Sequence, residues 1–311
     1  MRPKPITLLR LCRFPTVFTS LADIAAGYLL SHAAIDNPAS FLLLLGASSG
    51  LYLSGMVFND VFDVRQDTQE RPHRPIPSGG ISRKGAAAFG GTLMGLGLLC
   101  AALAGTSSLI IAGILAACIL AYDSFMKRTP LGPLFMGSCR FFNILLGAST
   151  AGVRIASVWQ MPQLWMAIAM GIYITGVTWF ARKEARVSGR GQLIGALTVI
   201  DLGLLMWAVW ILGLTIPYGL MISPPGVPSP MAILFLWGVI ALTINRRATA
   251  AISQPVPERV QPAIGSMLLS VIMIDAMMIY FKLGNPGLSY ALGTLALLVP
   301  AILLRRWMAM T

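Results

Sequence analysis

The chain has 311 residues, of which 56% are apolar and 11% carry a formal charge, with a net charge of +12. Soluble domains carry roughly 25% charged residues, so the composition excludes a water-soluble globular protein. Four cysteines (Cys12, Cys100, Cys118 and Cys139) show no CxxC spacing, which suggests neither a zinc site nor a disulfide framework and leaves them as small packing residues.

Apolar runs follow one another along the chain: Phe14 to Ser31, Phe41 to Phe58, Ala86 to Ala104, Leu109 to Tyr122, Gly132 to Gly152, Leu164 to Ala181, Leu193 to Gly213, Met231 to Ile244, Ala263 to Phe281 and Leu288 to Leu304. A helix needs about 20 residues to cross a hydrocarbon core of ~30 Å. The runs lack strand alternation, and backbone groups in lipid must be satisfied within their own segment, so the pattern predicts helices and not a barrel. The expected fold is all-α, a polytopic transmembrane bundle of about ten helices forming one domain over residues 1–311. The first run has no small-residue cleavage pattern and reads as an ordinary span, not as a signal peptide.

The basic residues give the orientation. Arg2, Lys4, Arg10 and Arg13 precede the first run, and Arg65, Arg71, Arg74, Arg83 and Lys84 follow the second. Lys127 and Arg128 follow the fourth, Arg182, Lys183, Arg186 and Arg190 the sixth, Arg246, Arg247 and Arg259 the eighth, and Arg305 and Arg306 the tenth. These are 20 of the 23 basic residues; the other side holds only Arg154 and Lys282, and Arg140 lies inside a run. The positive-inside rule then places both termini in the cytoplasm, as an even number of spans requires. A nucleic-acid patch would not alternate by loop, so the expected surroundings are membrane lipids, in the cell's inner (cytoplasmic) membrane, and no nucleic acid.

The end of the second run reads Asn59-Asp60-Val-Phe-Asp63-Val-Arg-Gln-Asp67, followed by Arg71-Pro-His73-Arg74-Pro-Ile-Pro-Ser-Gly79. If the helix continues to Asp67, then Asn59, Asp63 and Asp67 share one face, with Asp60 three residues from Asp63. Stacked carboxylates repel one another, and a divalent cation relieves that repulsion; hard oxygen ligands suit Mg²⁺. A solvated helix end neutralised by nearby arginines is the alternative.

The stretch resembles the first signature of the UbiA superfamily of intramembrane prenyltransferases, NDxxDxxxD, which Asn59, Asp60, Asp63 and Asp67 fill. Arg71 to Gly79 looks like the segment that follows it in that family. Tyr122-Asp-Ser-Phe-Met-Lys127-Arg128 resembles its Tyr/Lys element, with the two partners five apart where a spacing of four is usual, and Met136 to Asn143 resembles the helix after it. In detail the chain is similar to a divergent branch that includes EboC-like proteins. The second carboxylate signature is reduced to Val177-Thr-Trp179-Phe-Ala-Arg182-Lys183-Glu184-Ala-Arg-Val-Ser188, where only Glu184 is acidic.

The resemblance implies nine helices around a cavity open to the cytoplasm, with a tenth, at about 288–304, as a peripheral addition. It further implies transfer of an isoprenyl group from an isoprenyl diphosphate to a hydrophobic acceptor, with Mg²⁺ as cofactor. Metal ligation would fall to Asn59, Asp60, Asp63, Asp67 and Glu184, and catalysis to Asp63, Asp67, Tyr122 and Lys127. Arg71, Arg74, Arg140, Arg182 and Lys183 would bind diphosphate, with Asn143 and Trp179 in the pocket and Phe141 a further aromatic candidate. A transport or export protein that has lost catalysis on the same scaffold is the competing expectation. CDP-alcohol phosphotransferases are set aside because Val64 stands where their DxxDGxxAR pattern needs glycine.

Charges inside the runs are functional candidates by default. Arg140 has a structural alternative, a buried ion pair with Asp123 or Asp201. Asp23, Asp201 and Asp275 read better as hydrogen-bonded packing between helices. Asn143 serves equally as a cavity residue or an interhelical tie, and Tyr122 as a catalytic or an interfacial aromatic. Glu184 beside Lys183 has the same double reading, as a site residue or half of a solvated pair.

Overall fold

The structure is a computed structural model and describes residues 5–214 and 229–307. Arg2 and Lys4 lie outside the described residues. All regular elements among those described are helices. The short α1 (Pro5–Leu11) leads through a 3-10 turn into α2 (Val17–Ser31); α3 is Pro38–Phe62 and α4 is Val64–Glu70. Next come α5 (Arg83–Ala104), α6 (Thr106–Ser124), α7 (Gly132–Gly147), α8 (Gln163–Phe180) and α9 (Arg190–Ile211). The chain resumes with α10 (Pro230–Ser253), α11 (Pro257–Leu283), α12 (Leu288–Ala296) and α13 (Leu298–Trp307).

Each expected apolar run contains a helix, although the fifth leaves it after Gly147 and the tenth breaks at Leu297, and among the described residues eight segments are long and apolar enough to cross a membrane. The other two, α2 and α7, have 15 and 16 residues and are shorter, yet carry many buried side chains. The second, fourth and eighth helices extend beyond their expected ends, to Pro38–Phe62, Thr106–Ser124 and Pro230–Ser253. The Asn37 side chain accepts the Ser40 N–H at 3.1 Å with Pro38 in the first turn, which fixes where α3 begins.

Packing follows small residues. A Cβ on Gly27 of α2 would stand 2.0 Å from the Ile144 carbonyl oxygen of α7, so these backbones touch only because Gly27 lacks one. Gly50 of α3 does the same against the backbone of Leu93 and Gly97 in α5. Of the eight long segments α11 is the most enclosed, whereas α10 and the last segment turn most of their surface outward. Leu96, Leu99, Leu103, Phe235 and Leu242 are among the large apolar side chains left exposed, as expected where lipid replaces water.

Candidate functional site

The helix through the acidic stretch bends at Asp63, whose φ of −93° and ψ of 6° separate α3 from α4. The hydrogen-bond ladder survives the bend, with Asp63 N–H to the Asn59 carbonyl at 3.1 Å and Asp67 N–H to the Asp63 carbonyl at 2.8 Å. The change of phase corrects the single-face expectation. Asp60 and Asp67 turn together, Asp63 turns to α6, and Asn59 donates its amide to Asp123 at 3.0 Å.

Cations hold every carboxylate of the stretch. The Arg74 Nη1 lies 3.2 Å from Asp60 Oδ1 and 2.7 Å from Asp67 Oδ2, and all three side chains are only 4% exposed. Arg13 reaches the same Asp60 oxygen at 3.0 Å. Its backbone is left-handed, φ 44°, which costs a non-glycine residue about 1–2 kcal/mol. Lys127 Nζ stands 2.7 Å from Asp63 Oδ2, with Arg128 more distant at 3.7 Å. A 3-10 turn over Met126–Arg128 after the end of α6 brings Lys127 there, and it absorbs the extra residue in the Tyr122–Lys127 spacing.

Glu184, on the turn after α8, completes the ring. Burial pushes its carboxyl above the ordinary glutamate value, opposed by Arg71, Arg13 and Arg74, which places it among those guanidiniums. Burial likewise pulls Arg74 down, with Arg13 adding to the pull and Asp60 and Asp67 opposing it. Arg182 donates to the Thr129 carbonyl at 3.1 Å from an exposed position, and Lys183 is exposed.

Beneath this ring lies a cavity of about 550 Å³, its open mouth included, enclosed by α2, α3, α6 and α7. Asn59, Tyr122 and Asp123 line one end, Met56, Leu115, Ile119 and Met136 the middle, and Ser48, Tyr52, Arg140 and Asn143 the other. Arg140 donates to Asp23 at 2.7 Å and to Thr19 at 2.7 Å. This corrects the expected pairing of Arg140 with Asp123 or Asp201, because Asp123 takes the Asn59 amide and Asp201 that of Asn245 at 2.9 Å. Asn143 donates to the Ser20 carbonyl and to Asp23 and accepts from Ser48, so it both lines the cavity and ties helices.

Two expected pocket residues do not line the cavity. Trp179 packs its ring over Gly195 of α9, and Phe141 stacks edge-on against Phe142 and tilts toward Trp159. Conversely, Arg13, Tyr52 and Asp123 were not singled out as site residues. Arg13 carried one usable signal, its place just before the first apolar run, at the end of the bundle where Asp60 lies.

Among the described residues no cluster of three or more His, Cys, Asp or Glu stands in metal-binding proximity. The donor set nevertheless fits a divalent cation. Asp60 and Asp67 converge on one positive point, the Arg74 Nη1, and their free oxygens are hard ligands of the kind Mg²⁺ takes.

The sequence profile of the UbiA prenyltransferase family matches residues 20–255. A digeranylgeranylglyceryl phosphate synthase from Methanoculleus marisnigri is 36% identical over 129 residues, 41% of this chain and 46% of that protein, so the chain spans about half the length of this curated relative. The apo structure of a UbiA homolog from Aeropyrum pernix K1 superposes with a TM-score of 0.64 at 20% identity, covering 85% of this chain and 96% of that one. A UbiA homolog from Archaeoglobus fulgidus bound to DMAPP and Mg²⁺ gives 0.61 at 15% identity, covering 93% and 99%. With eight apolar helices of spanning length, the chain is an integral membrane protein, and with three quarters of its length matched it belongs to the UbiA prenyltransferase family.

Proposed function

We propose that this protein is an intramembrane prenyltransferase that moves an isoprenyl group from an allylic isoprenyl diphosphate to an aromatic or lipid acceptor, with Mg²⁺ as cofactor. The reading takes the chain as one transmembrane domain of ten spans in the cell's inner membrane, with both termini and the site on the cytoplasmic side. The observation that carries it is the stacking of two environments: a ring of carboxylates and cations (Asp60, Asp63, Asp67, Glu184, Arg13, Arg74, Lys127) sits directly over an apolar cavity that begins at Tyr122. A diphosphate belongs in the first and a hydrocarbon chain in the second.

Asn59, Asp60, Asp63 and Asp67, with Glu184 facing them, would hold Mg²⁺, which when bound neutralises the leaving diphosphate. Arg13, Arg71, Arg74 and Lys127 bind the diphosphate oxygens and stabilise the charge that develops as the allylic C–O bond breaks; Arg182 and Lys183 stand at the rim. The bonding pair departs on the diphosphate. The allylic cation left behind meets the face of Tyr122, worth ~1–2 kcal/mol when desolvated, and the apolar wall excludes water as a competing nucleophile. The acceptor atom bonds to the allylic carbon and its proton leaves on the diphosphate.

One observation favours a second reading, a non-catalytic or transport protein on the same scaffold: each carboxylate of the acidic stretch already has a cation of the chain itself. The test is diphosphate release by the purified protein from isoprenyl diphosphates of several lengths, with and without Mg²⁺. Transfer should require Mg²⁺ and vanish in Asp63→Ala and Asp67→Ala. Turnover unchanged in either variant refutes the assignment of the site, and silence with every chain length favours the second reading.

A further inference from the structure

The outer face of α10 and α11 carries positive charge that the chain itself does not answer. Asn245 turns inward and donates to Asp201 at 2.9 Å, and that phase of α10 sends Arg246 and Arg247 outward, where both are exposed. Arg259, in the first turn of α11, is exposed as well. None of these arginines forms an ion pair among the described residues, unlike Arg13, Arg74 and Lys127. The turn between the two helices is tied to the segment after α8 by the Ser188 N–H, which donates to the Pro255 carbonyl at 2.9 Å, and by Arg190, which donates to the Ser253 carbonyl at 2.9 Å. The unpaired arginines therefore stand at the same end of the bundle as Glu184.

Two grooves meet at Thr243 and Arg247. One, of about 840 Å³ with its open mouth included, is bordered by Arg246, Arg247 and Arg259 together. The other, of about 960 Å³ on the same basis, follows α11 from Glu258 and Gln261 past Ser266 to Leu269 and Met273. From Glu258 to Met273 the helix covers about 22 Å at 1.5 Å per residue, close to half of a bilayer of ~40–45 Å. The groove thus runs the depth of one leaflet, polar where the arginines stand and apolar at its far end. No residue borders both these grooves and the cavity enclosed by α2, α3, α6 and α7.

A lipid satisfies both ends of such a groove. Its chain covers the apolar length, and its phosphate oxygens accept from guanidiniums, whose planar fork matches phosphate. Glu258 opposes one of the three positive charges, which leaves an excess of two. A zwitterionic headgroup would bring a further cation into that excess, whereas a headgroup of net negative charge offsets it, as in other basic pockets between transmembrane helices.

We infer that the paired grooves on α10 and α11 are a binding site for a bilayer phospholipid of net negative charge, its phosphate among Arg246, Arg247 and Arg259 and one chain along Ser266, Leu269 and Met273. The inference stands apart from the transfer reading, because it uses none of the residues assigned to transfer. Native mass spectrometry of the full chain in a non-ionic detergent, titrated with dipalmitoyl phosphatidylglycerol or dipalmitoyl phosphatidylcholine, reads it directly. Phosphatidylglycerol should bind about tenfold more tightly or better, and glycerol 1-phosphate at the same concentrations should not displace it. A basic residue near the membrane surface is worth about a fivefold change in affinity, so Arg247→Gln should weaken phosphatidylglycerol about fivefold, and Arg247→Gln combined with Arg246→Gln and Arg259→Gln about a hundredfold. Ser266→Trp, which fills the chain groove with every arginine in place, should also weaken it about fivefold. Removing three exposed charges elsewhere, by Arg65→Gln, Lys84→Gln and Arg154→Gln together, should leave binding as in the native protein.

Equal affinity for the two lipids, displacement by glycerol 1-phosphate, or a loss in the distant triple variant as large as in the groove variant overturns the proposal. So does unchanged binding in Arg247→Gln or in Ser266→Trp, whether or not the groove triple variant folds.

Discussion

Replacing Arg74 with Gln tests the electrostatic core of the site. In the native protein one Arg74 nitrogen lies 2.7 and 3.2 Å from two carboxylates, with every partner 4% exposed. Solvent therefore screens little, and the loss of one member of a buried pair costs about 3–5 kcal/mol because the other is left uncompensated. At this chain length about 2 °C of melting temperature accompanies each kcal/mol, so the variant should melt roughly 6–10 °C lower in detergent without divalent ions. Mg²⁺ should then restore more stability to the variant than to the native protein, since it meets two carboxylates with no guanidinium between them. At a hundred times its dissociation constant the gain is about 2.7 kcal/mol. Thermal unfolding by tryptophan fluorescence at rising Mg²⁺ measures both effects. A variant that melts with the native protein, or gains no more from Mg²⁺ than the native protein does, would refute the reasoning.

Lys127→Gln removes the cation 2.7 Å from Asp63, in a pair that is 11% and 15% exposed; it should slow transfer at least tenfold while lowering the melting temperature less than Arg74→Gln, as paired kinetic and thermal measurements would show. Gly27→Ala drives a methyl group to 2.0 Å from the Ile144 carbonyl oxygen, so α2 must leave α7 and about 1–3 kcal/mol or more of stability should be lost to overpacking, visible as reduced yield and melting temperature. Burial and the nearby Asp60 push the Cys12 thiol from 9.0 up to about 11, which leaves it about a hundredfold less thiolate than an ordinary cysteine at pH 8. Alkylation followed by mass spectrometry should find Cys12 unmodified in the folded protein, with labelling appearing only as pH approaches 11 or the chain unfolds.

The helical bundle was legible because a membrane leaves the backbone one solution per apolar run; every run contains a helix, but the stop at Gly147 in the fifth and the break at Leu297 in the tenth left no mark in the apolar pattern. The acidic stretch was legible as a candidate site because Asn59, Asp60, Asp63 and Asp67 stand close together at a spacing that suits metal ligation. What spacing could not give is which carboxylate faces which cation. The bend at Asp63 depends on packing across helices, and it sends Asp63 to Lys127 and Asp60 to Arg13 and Arg74. The pairing of Arg140 was illegible for a related reason. Asp23 lies 117 residues away in sequence, and three intramembrane aspartates besides Asp123 offered the same chemistry to any reading without depth. Trp179, expected in the pocket, packs over Gly195 of α9 and is not in the lining of the described cavity, and the periodicity of α8, apolar on nearly every face, gives no hint which face meets α9.

The basic residues divide by what surrounds their partners. Arg13, Arg74 and Lys127 hold carboxylates at the end of α3 and in α4, where, in the proposed function, metal and diphosphate would exchange partners with the side chains. Arg140 holds Asp23 where no water competes, and its position is fixed by the same α2–α7 approach that Gly27 permits. Under the proposed function the ion pairs of the upper group are a resting arrangement. An incoming diphosphate needs the guanidiniums, a released carboxylate needs another cation, and a divalent ion supplies it, so each binding event lowers the cost of the other. The ion-paired ring is therefore compatible with catalysis and does not require that catalysis be lost: Asp60, Asp63, Asp67 and Glu184 stand among Arg13, Arg74 and Lys127, which leaves little net charge before a substrate binds. The lower group has no such exchange available, and its charge is balanced within the protein by Asp23, 2.7 Å from Arg140.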